Sequence, residues 1–242
     1  MRDGVWHRQA IRRLAAFRFL GVDRLVADEA SLRDHVDEIA EHKRQLLTLD
    51  RREVRTHAAT PWGAAQISRV YADGVVCHST PEHGGFHLDE ERNALVHAAY
   101  RNDGGWYEED SQLAKAAASF PDLFTDCERK CADRTLRHDE PDAYELINGI
   151  MLRPGESHTK DARQFRIDRA DHWLVISAIT SRLRPRFVEC VATLGGDRRS
   201  KDERRFLVPA DEYRVGWHGF VIDESRHELY DGPSDFIGWG RG

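Results

Sequence analysis

Between residues 173 and 223 the apolar residues fall into four short runs, WLVISAIT, RFVECVATL, RFLVP and GFVID. They are split by Arg-Pro, by Gly-Gly with a charged loop, and by Gly-Trp-His-Gly. Runs this short, rich in Val, Ile and Phe and bounded by turn residues, have the composition of strands. They predict a small antiparallel meander with room to curl toward a barrel. The earlier part of the chain has a different, helical period, so the fold class is α+β. We divide it into a helical hairpin arm at 1–57, a mixed α/β central module at 58–170 and an antiparallel β subdomain at 171–242. The last segment either folds separately or completes one core with residues 58–170.

In the arm, Trp6, Ala10, Leu14 and Phe17 keep helical spacing before Gly21, and Leu32, Val36, Ile39 and Leu46 mark a second helix from about Asp28 to Asp50. The charged stretch RREVRTH (51–57) reads as a linker. In the central module, AAQISRVY (64–71) and GVVCHS (74–79) read as strands turned at Asp73-Gly74. DEERNALVHAAY reads as a helix capped by Asp89. A helix opens near Glu108 and runs to Phe120. Thr125 and Glu128 have capping-box spacing for a helix to about His138. PDAYELING is a short helix with Pro141 in its first turn and Gly149 past its end, and residues 158–170 suit one more.

Hydrophobic residues make up 40% of the 242 and charged ones 32%, the balance of a soluble globular protein. No apolar run approaches the ~20 residues needed to cross a bilayer. The N-terminus lacks the uninterrupted apolar region and cleavage site of a secretory signal, and four cysteines are too few for a disulfide framework. The expectation is reduced thiols, a cytoplasmic address and no membrane partner. A net charge of −6 argues against a coat for nucleic acid, although the basic run RRLAAFR (12–18) leaves a local contact open.

HSTPEHGGFHLDEE (78–91) is the stretch richest in chemistry. His83 and His87 have the spacing of a helical zinc pair, but Gly84 and Gly85 each cost ~1 kcal/mol in a helix. In an extended chain the two histidines stand ~13 Å apart. No metal is therefore assigned. A Gly-Gly pair also suits a two-residue hairpin tip. With the tip there, Glu82 faces His87 across the ladder, and a carboxylate can orient an imidazole. Glu82 and His87 are the candidate catalytic pair; the plainer reading is a polar turn with solvated histidines.

His83 is a candidate binding residue, together with GGWYEED: Trp106 and Tyr107 as an aromatic wall, and Glu108, Glu109 and Asp110 as a base or cation site. Acids there also suit a helix N-terminus. Cys127 and Cys131 lie one turn apart without a CxxC or a second pair, and read as small helix residues. No nucleophile elbow, Walker loop or dinucleotide fingerprint is present, and no cofactor is expected.

TPWG (60–63), HGGFHL (83–88), GGWYEED (104–110), FPDLFT (120–125), ADRTLR (132–137) and PDAYE (141–145) together resemble an uncharacterised bacterial family, a domain of unknown function carried by plasmids and other mobile elements. RFLVPADEY (205–213) and HGFVID (218–223) resemble its longer members. The chain departs from that pattern at Cys127, Cys131 and His138-Asp139-Glu140. The resemblance implies an accessory role, with anti-defence proteins among the kinds found in that setting. Two functions follow: macromolecular binding, with a protein partner and nucleic acid as a further partner through the basic helix, or a hydrolase whose base is His87 oriented by Glu82. Convergence of His83, His87 and the 108–110 acids in one concavity favours chemistry, and scatter favours recognition.

Overall fold

The computed structural model describes residues 28–236. The expected helix at 5–20 and the basic run at 12–18 lie outside them. The chain divides into two compact units, the first ending at Glu156 and the second starting at Ser157.

The first unit opens with α1 (Glu29–Thr48), capped where Asp28 accepts from the Ser31 amide. What reads as a linker holds β1 (Arg52–Arg55), an exposed edge strand. A small hairpin, β2 (Ala59–Thr60) with β3 (Gly63–Ala64), precedes β4 (Ile67–Ala72), β5 (Val75–Ser79) and β6 (Gly84–Leu88). Then come α2 (Glu90–Leu95), β7 (Trp106–Glu108), α3 (Leu113–Ser119), α4 (Asp126–Asp139) and α5 (Pro141–Asn148). The antiparallel sheet runs β1-β4-β5-β6-β7.

Alternation sorts the strands into two faces. Tyr71, Val75, Cys77, Phe86, Leu88 and Tyr107 point inward onto α3 and α4, against Leu113, Ala114, Ala116, Ala117, Ala132 and Leu136. Alanines along α3 let its backbone come close to the sheet. Phe86 and Tyr107 are fully buried, and each such side chain stabilises by about 1.5–3 kcal/mol.

Several local expectations hold. Asp73-Gly74 turns β4 into β5, with Gly74 at φ 77°. Asp89 caps α2, Thr125 and Glu128 form the capping box of α4, and left-handed Gly149 ends α5. Others shift. The helix expected from 89 to 100 stops at Leu95, and the one expected near Glu108 starts at Leu113, because Trp106–Glu108 join the sheet.

The expected reversal at Gly84-Gly85 is a correction. The chain turns at Thr80–His83, where Thr80 N–H donates to the His83 carbonyl at 2.8 Å and the Thr80 hydroxyl donates to the same oxygen at 2.6 Å. Pro81 supplies the fixed φ favoured at the second position of such a turn. Both glycines lie in β6, paired with Ser79 and His78, and neither has positive φ.

The second unit contains α6 (His158–Asp168), β8 (Trp173–Thr180), β9 (Phe187–Leu194), β10 (Glu203–Pro209) and β11 (Glu228–Leu229). Its antiparallel sheet runs β11-β10-β9-β8, over a core of Trp173, Val188, Cys190, Ala192, Phe206, Val208 and Ile222. Three of the four expected strands form. GFVID instead makes two isolated bridges, Leu174 to Val221 and Gly216 to Gly219, and the fourth strand is Glu228–Leu229. No helix among the described residues is long and apolar enough to cross a membrane.

Candidate functional site

The expected site residues separate onto different surfaces. Glu82 lies in the 80–83 turn, whereas His87 stands in β6 opposite Val76 and Trp106. The cross-strand geometry that made Glu82 and His87 a pair is therefore absent. His83 is an exposed turn residue whose amide donates to the Thr80 hydroxyl. Tyr107 points into the core and donates its hydroxyl to Asn93 Oδ1 at 2.6 Å, so Trp106 and Tyr107 serve opposite faces. Glu108 Oε2 accepts from the Asp110 amide at 2.8 Å and closes the turn before α3. Glu109 lies at Gly84, on the inward side of the sheet, and Asp110 is exposed.

The structure gathers a different set on the outward face. Cross-strand register lines up Val70, Val76, His87 and Trp106 in one row, and Ser68, His78, Gly85 and Glu108 in the next. His87 packs on Trp106 with ring centroids 4.3 Å apart, and His78 lies 5.6 Å from the same indole.

Trp62 completes the group from the β2–β3 hairpin. That hairpin is tied by Thr60, whose Oγ1 accepts from the Trp62 amide at 3.1 Å and donates to the Gly63 carbonyl at 2.7 Å. The Trp62 indole lies across Gly85, where an added Cβ would meet its Cη2 at 2.4 Å. Its edge meets Trp106 at 5.7 Å. Glycine here gives an indole room on the strand surface; no turn depends on it.

Ser68 Oγ and His78 Nδ1 are 2.7 Å apart, and both residues are buried. Burial lowers the His78 pKa, and the neighbouring His87 lowers it further. A neutral imidazole bound to a hydroxyl is a satisfied polar pair. Beside it a cleft of about 490 Å³ is lined by His57, Trp62, Gln66, Thr80, Pro81 and Glu82. The half-buried rings of Trp62, His87 and Trp106, beside a cleft edged by one carboxylate, suit stacking against a bound surface. Among the described residues no group of three or more His, Cys, Asp or Glu is placed to hold a metal ion.

Trp62, Ser68 and His78 carried little sequence signal as site residues. The hairpin at Asp73-Gly74 pairs Ala72 with Val75, and regular continuation would set Ser68 against Ser79. A bulge between Val70 and Ala72 shifts the register by one, so that Ser68 meets His78.

No curated protein and no solved structure matches the chain. Residues 55–170, which run from the end of β1 through the sheet and its helices into the start of the second unit, match the family model described as Domain of unknown function (DUF7007).

Proposed function

We propose that the first unit is a recognition module that binds a basic macromolecular partner, a protein, through the outward face of its sheet. One observation carries this reading: Trp62, His78, His87 and Trp106 cluster on that face, while the acids expected to do chemistry are turned elsewhere or closing turns. Aromatic rings are the side chains most enriched at interface centres.

Charge favours the class of partner. From residue 28 to 156 fifteen Lys and Arg stand against twenty-six Asp and Glu, a net −11. Over that span, though not on the outward face taken alone, such a balance disfavours phosphate and complements a basic patch, of the kind nucleic-acid-binding proteins present. An accessory of mobile elements that occupies such a patch on a defence protein is consistent with the resemblance.

The test is a photoreactive phenylalanine analogue at Val76, beside His87, in protein exposed to a lysate of its native host. The expected product is an adduct with a protein bearing a basic surface. Its yield falls about tenfold in Trp106→Ala and declines as ionic strength rises. Adducts to nucleic acid in place of protein, or yields indifferent to Trp106→Ala, would sink the reading.

A further inference from the structure

We propose that the second unit binds single-stranded nucleic acid, holding phosphates on the arginine loop between β8 and β9 and stacking a base on Trp217. This site is independent of the protein partner proposed for the first unit. From His172 to Val188 the chain carries Arg182, Arg184 and Arg186 and no Asp or Glu. From residue 157 to 242 fifteen Lys and Arg, thirteen of them Arg, stand against fourteen Asp and Glu, a net +1. The acid excess of the first unit is missing here, and with it the general penalty on phosphate.

The loop is ordered. Asp235, its side chain 6% exposed, accepts through Oδ2 from the Ser181 hydroxyl at 2.8 Å and from the Arg182 and Leu183 amides at 2.7 and 3.1 Å. Ser181 Oγ accepts in turn from the Arg184 amide at 3.0 Å. The Phe187 amide donates to the Arg184 carbonyl at 3.2 Å, closing a four-residue turn with Pro185 second and Arg186 third. Arg186 has φ 74°, the one positive φ outside glycine among the described residues. Such a turn is type II, and its third position ordinarily goes to glycine or asparagine, because a Cβ crowds the backbone there. An arginine held in this strained conformation points to a use for its side chain.

Three guanidiniums leave this frame. Arg182 and Arg184, 83% and 45% exposed, keep long ion pairs to Asp235 at 3.5 Å and Glu228 at 3.8 Å. Arg186 is exposed, and among the described residues no carboxylate pairs with it. The planar fork of arginine matches two phosphate oxygens at once, and a loop already fixed gives up little entropy on binding.

Trp217 supplies the stacking surface and is 88% exposed. It tops a tight turn in which the Gly216 and Gly219 amides each donate to the other's carbonyl, at 3.1 and 3.2 Å. Its indole lies nearly parallel to the His158 ring, with 22° between planes and 5.6 Å between centroids. Antiparallel register at the Leu174–Val221 bridge, continued where the Val175 amide donates to the Phe220 carbonyl, carries the residues before 219 toward the later half of β8. The arginine loop leaves from that end. A basic track beside an exposed indole suits single strands, whose unpaired bases all have a π face to offer.

Binding is read by fluorescence anisotropy with the full chain and labelled oligothymidylate or oligouridylate of about 20 nucleotides, longer than the ~4–16 that one small β fold covers. Single strands should bind more tightly than a duplex of equal length, and the tighter of the two names the sugar. Arg186→Gly should weaken binding about tenfold and make the slope of log Kd against log salt shallower by about 0.7, the share of one phosphate. The same variant should unfold at an equal or higher urea midpoint, since glycine relieves the left-handed backbone; an arginine kept for structure would not separate the two effects. Trp217→Ala should also weaken binding about tenfold, with the salt slope unchanged. The proposal is overturned if neither strand binds, if the duplex binds as tightly, or if either variant binds like wild type, which would move the contact to another surface such as the basic run at 12–18. It is equally overturned if polyglutamate at equal charge displaces the strand as readily as unlabelled oligonucleotide, which would make the loop a seat for acidic protein.

Discussion

Arg51 and Glu128, 77 residues apart, form a two-pronged ion pair sealed inside the first unit: Nη1 meets Oε1 at 2.9 Å, Nη2 meets Oε2 at 2.6 Å, and each side chain is 6% exposed. The guanidinium lies 4.1 Å over the Tyr71 ring and donates to the Leu123 carbonyl at 2.7 Å. Glu128 also accepts from the Thr125 amide at 2.8 Å, while Thr125 Oγ1 sits 2.8 Å from His42 Nδ1. Burial raises the Glu128 pKa, but the hydrogen bond and charge of Arg51 outweigh it and hold the carboxyl below the usual range. The pair joins the chain after α1 to the start of α4.

Removing one partner strands a buried charge. Arg51→Met should cost about 3–5 kcal/mol in urea unfolding. The double variant Arg51→Met/Glu128→Gln should recover part of that loss, since no unpaired carboxylate then remains. A double variant as unstable as the sum of its singles would show that the two residues act separately.

Gly85→Ala should destabilise the first unit by about 1–3 kcal/mol, an overpacking cost. The new methyl would sit 2.3 Å from the Tyr107 carbonyl, a backbone atom that cannot swing aside, and 2.4 Å from Trp62. Gly149→Ala meets no atom within 4 Å and strains only its left-handed backbone. Chemical denaturation gives the losses, and a red-shifted tryptophan emission should accompany Gly85→Ala alone, as the Trp62 indole is pushed off the sheet.

These features also show which parts of the fold were legible in the sequence. Signals confined to a few neighbours were readable: Thr125 with Glu128, Asp89 before α2, Asp73-Gly74 between strands, and the runs that became β8, β9 and β10. Signals that depend on distant partners were not. Arg51 sits in a charged stretch that resembles a linker until Glu128 is brought to it. Gly84-Gly85 has hairpin composition, yet Thr80 and Pro81 make the adjacent reversal and the glycines serve Trp62 and the strand. Half of the candidate site shared this fate: His87 and Trp106 were named and do share a face, while Trp62 joined them only through a hairpin contact and Ser68 met His78 only through a bulge.

Stability should fall as the solution is acidified below the ordinary histidine range. Burial lowers the pKa of both His42 and His78, so the unfolded chain binds protons that the folded chain resists. The stabilising contribution is full above about pH 6.5 and shrinks as pH drops through that value toward the folded ones. In melts from pH 7.5 to 5, His78→Asn should show a shallower decline than wild type, as one of the two resisting groups is gone. An equal slope would mean that His78 takes up its proton without penalty.

In the second unit Glu189 is fully buried and accepts from Arg205 at 2.9 Å, from the Ser234 hydroxyl at 2.5 Å and from the Asp235 amide at 3.0 Å. It ties residues 234–235 to the middle of β9. Glu189→Ala should cost about 3–5 kcal/mol by leaving Arg205 without its carboxylate. It should also open chymotryptic cleavage after Tyr230, whose hydroxyl now donates to the Pro233 carbonyl. Resistance to the protease equal to wild type would show that the segment is held by other contacts.

Because the indole of residue 62 occupies the space where position 85 has no side chain, the two positions form one steric unit although they lie on separate hairpins. Among related chains, a bulkier residue at 85 should travel with a smaller one at 62. A chain that kept tryptophan at 62 but gained a side chain at 85 should present the same strand with its ring swung into solvent, losing the shape of the surface while keeping the fold.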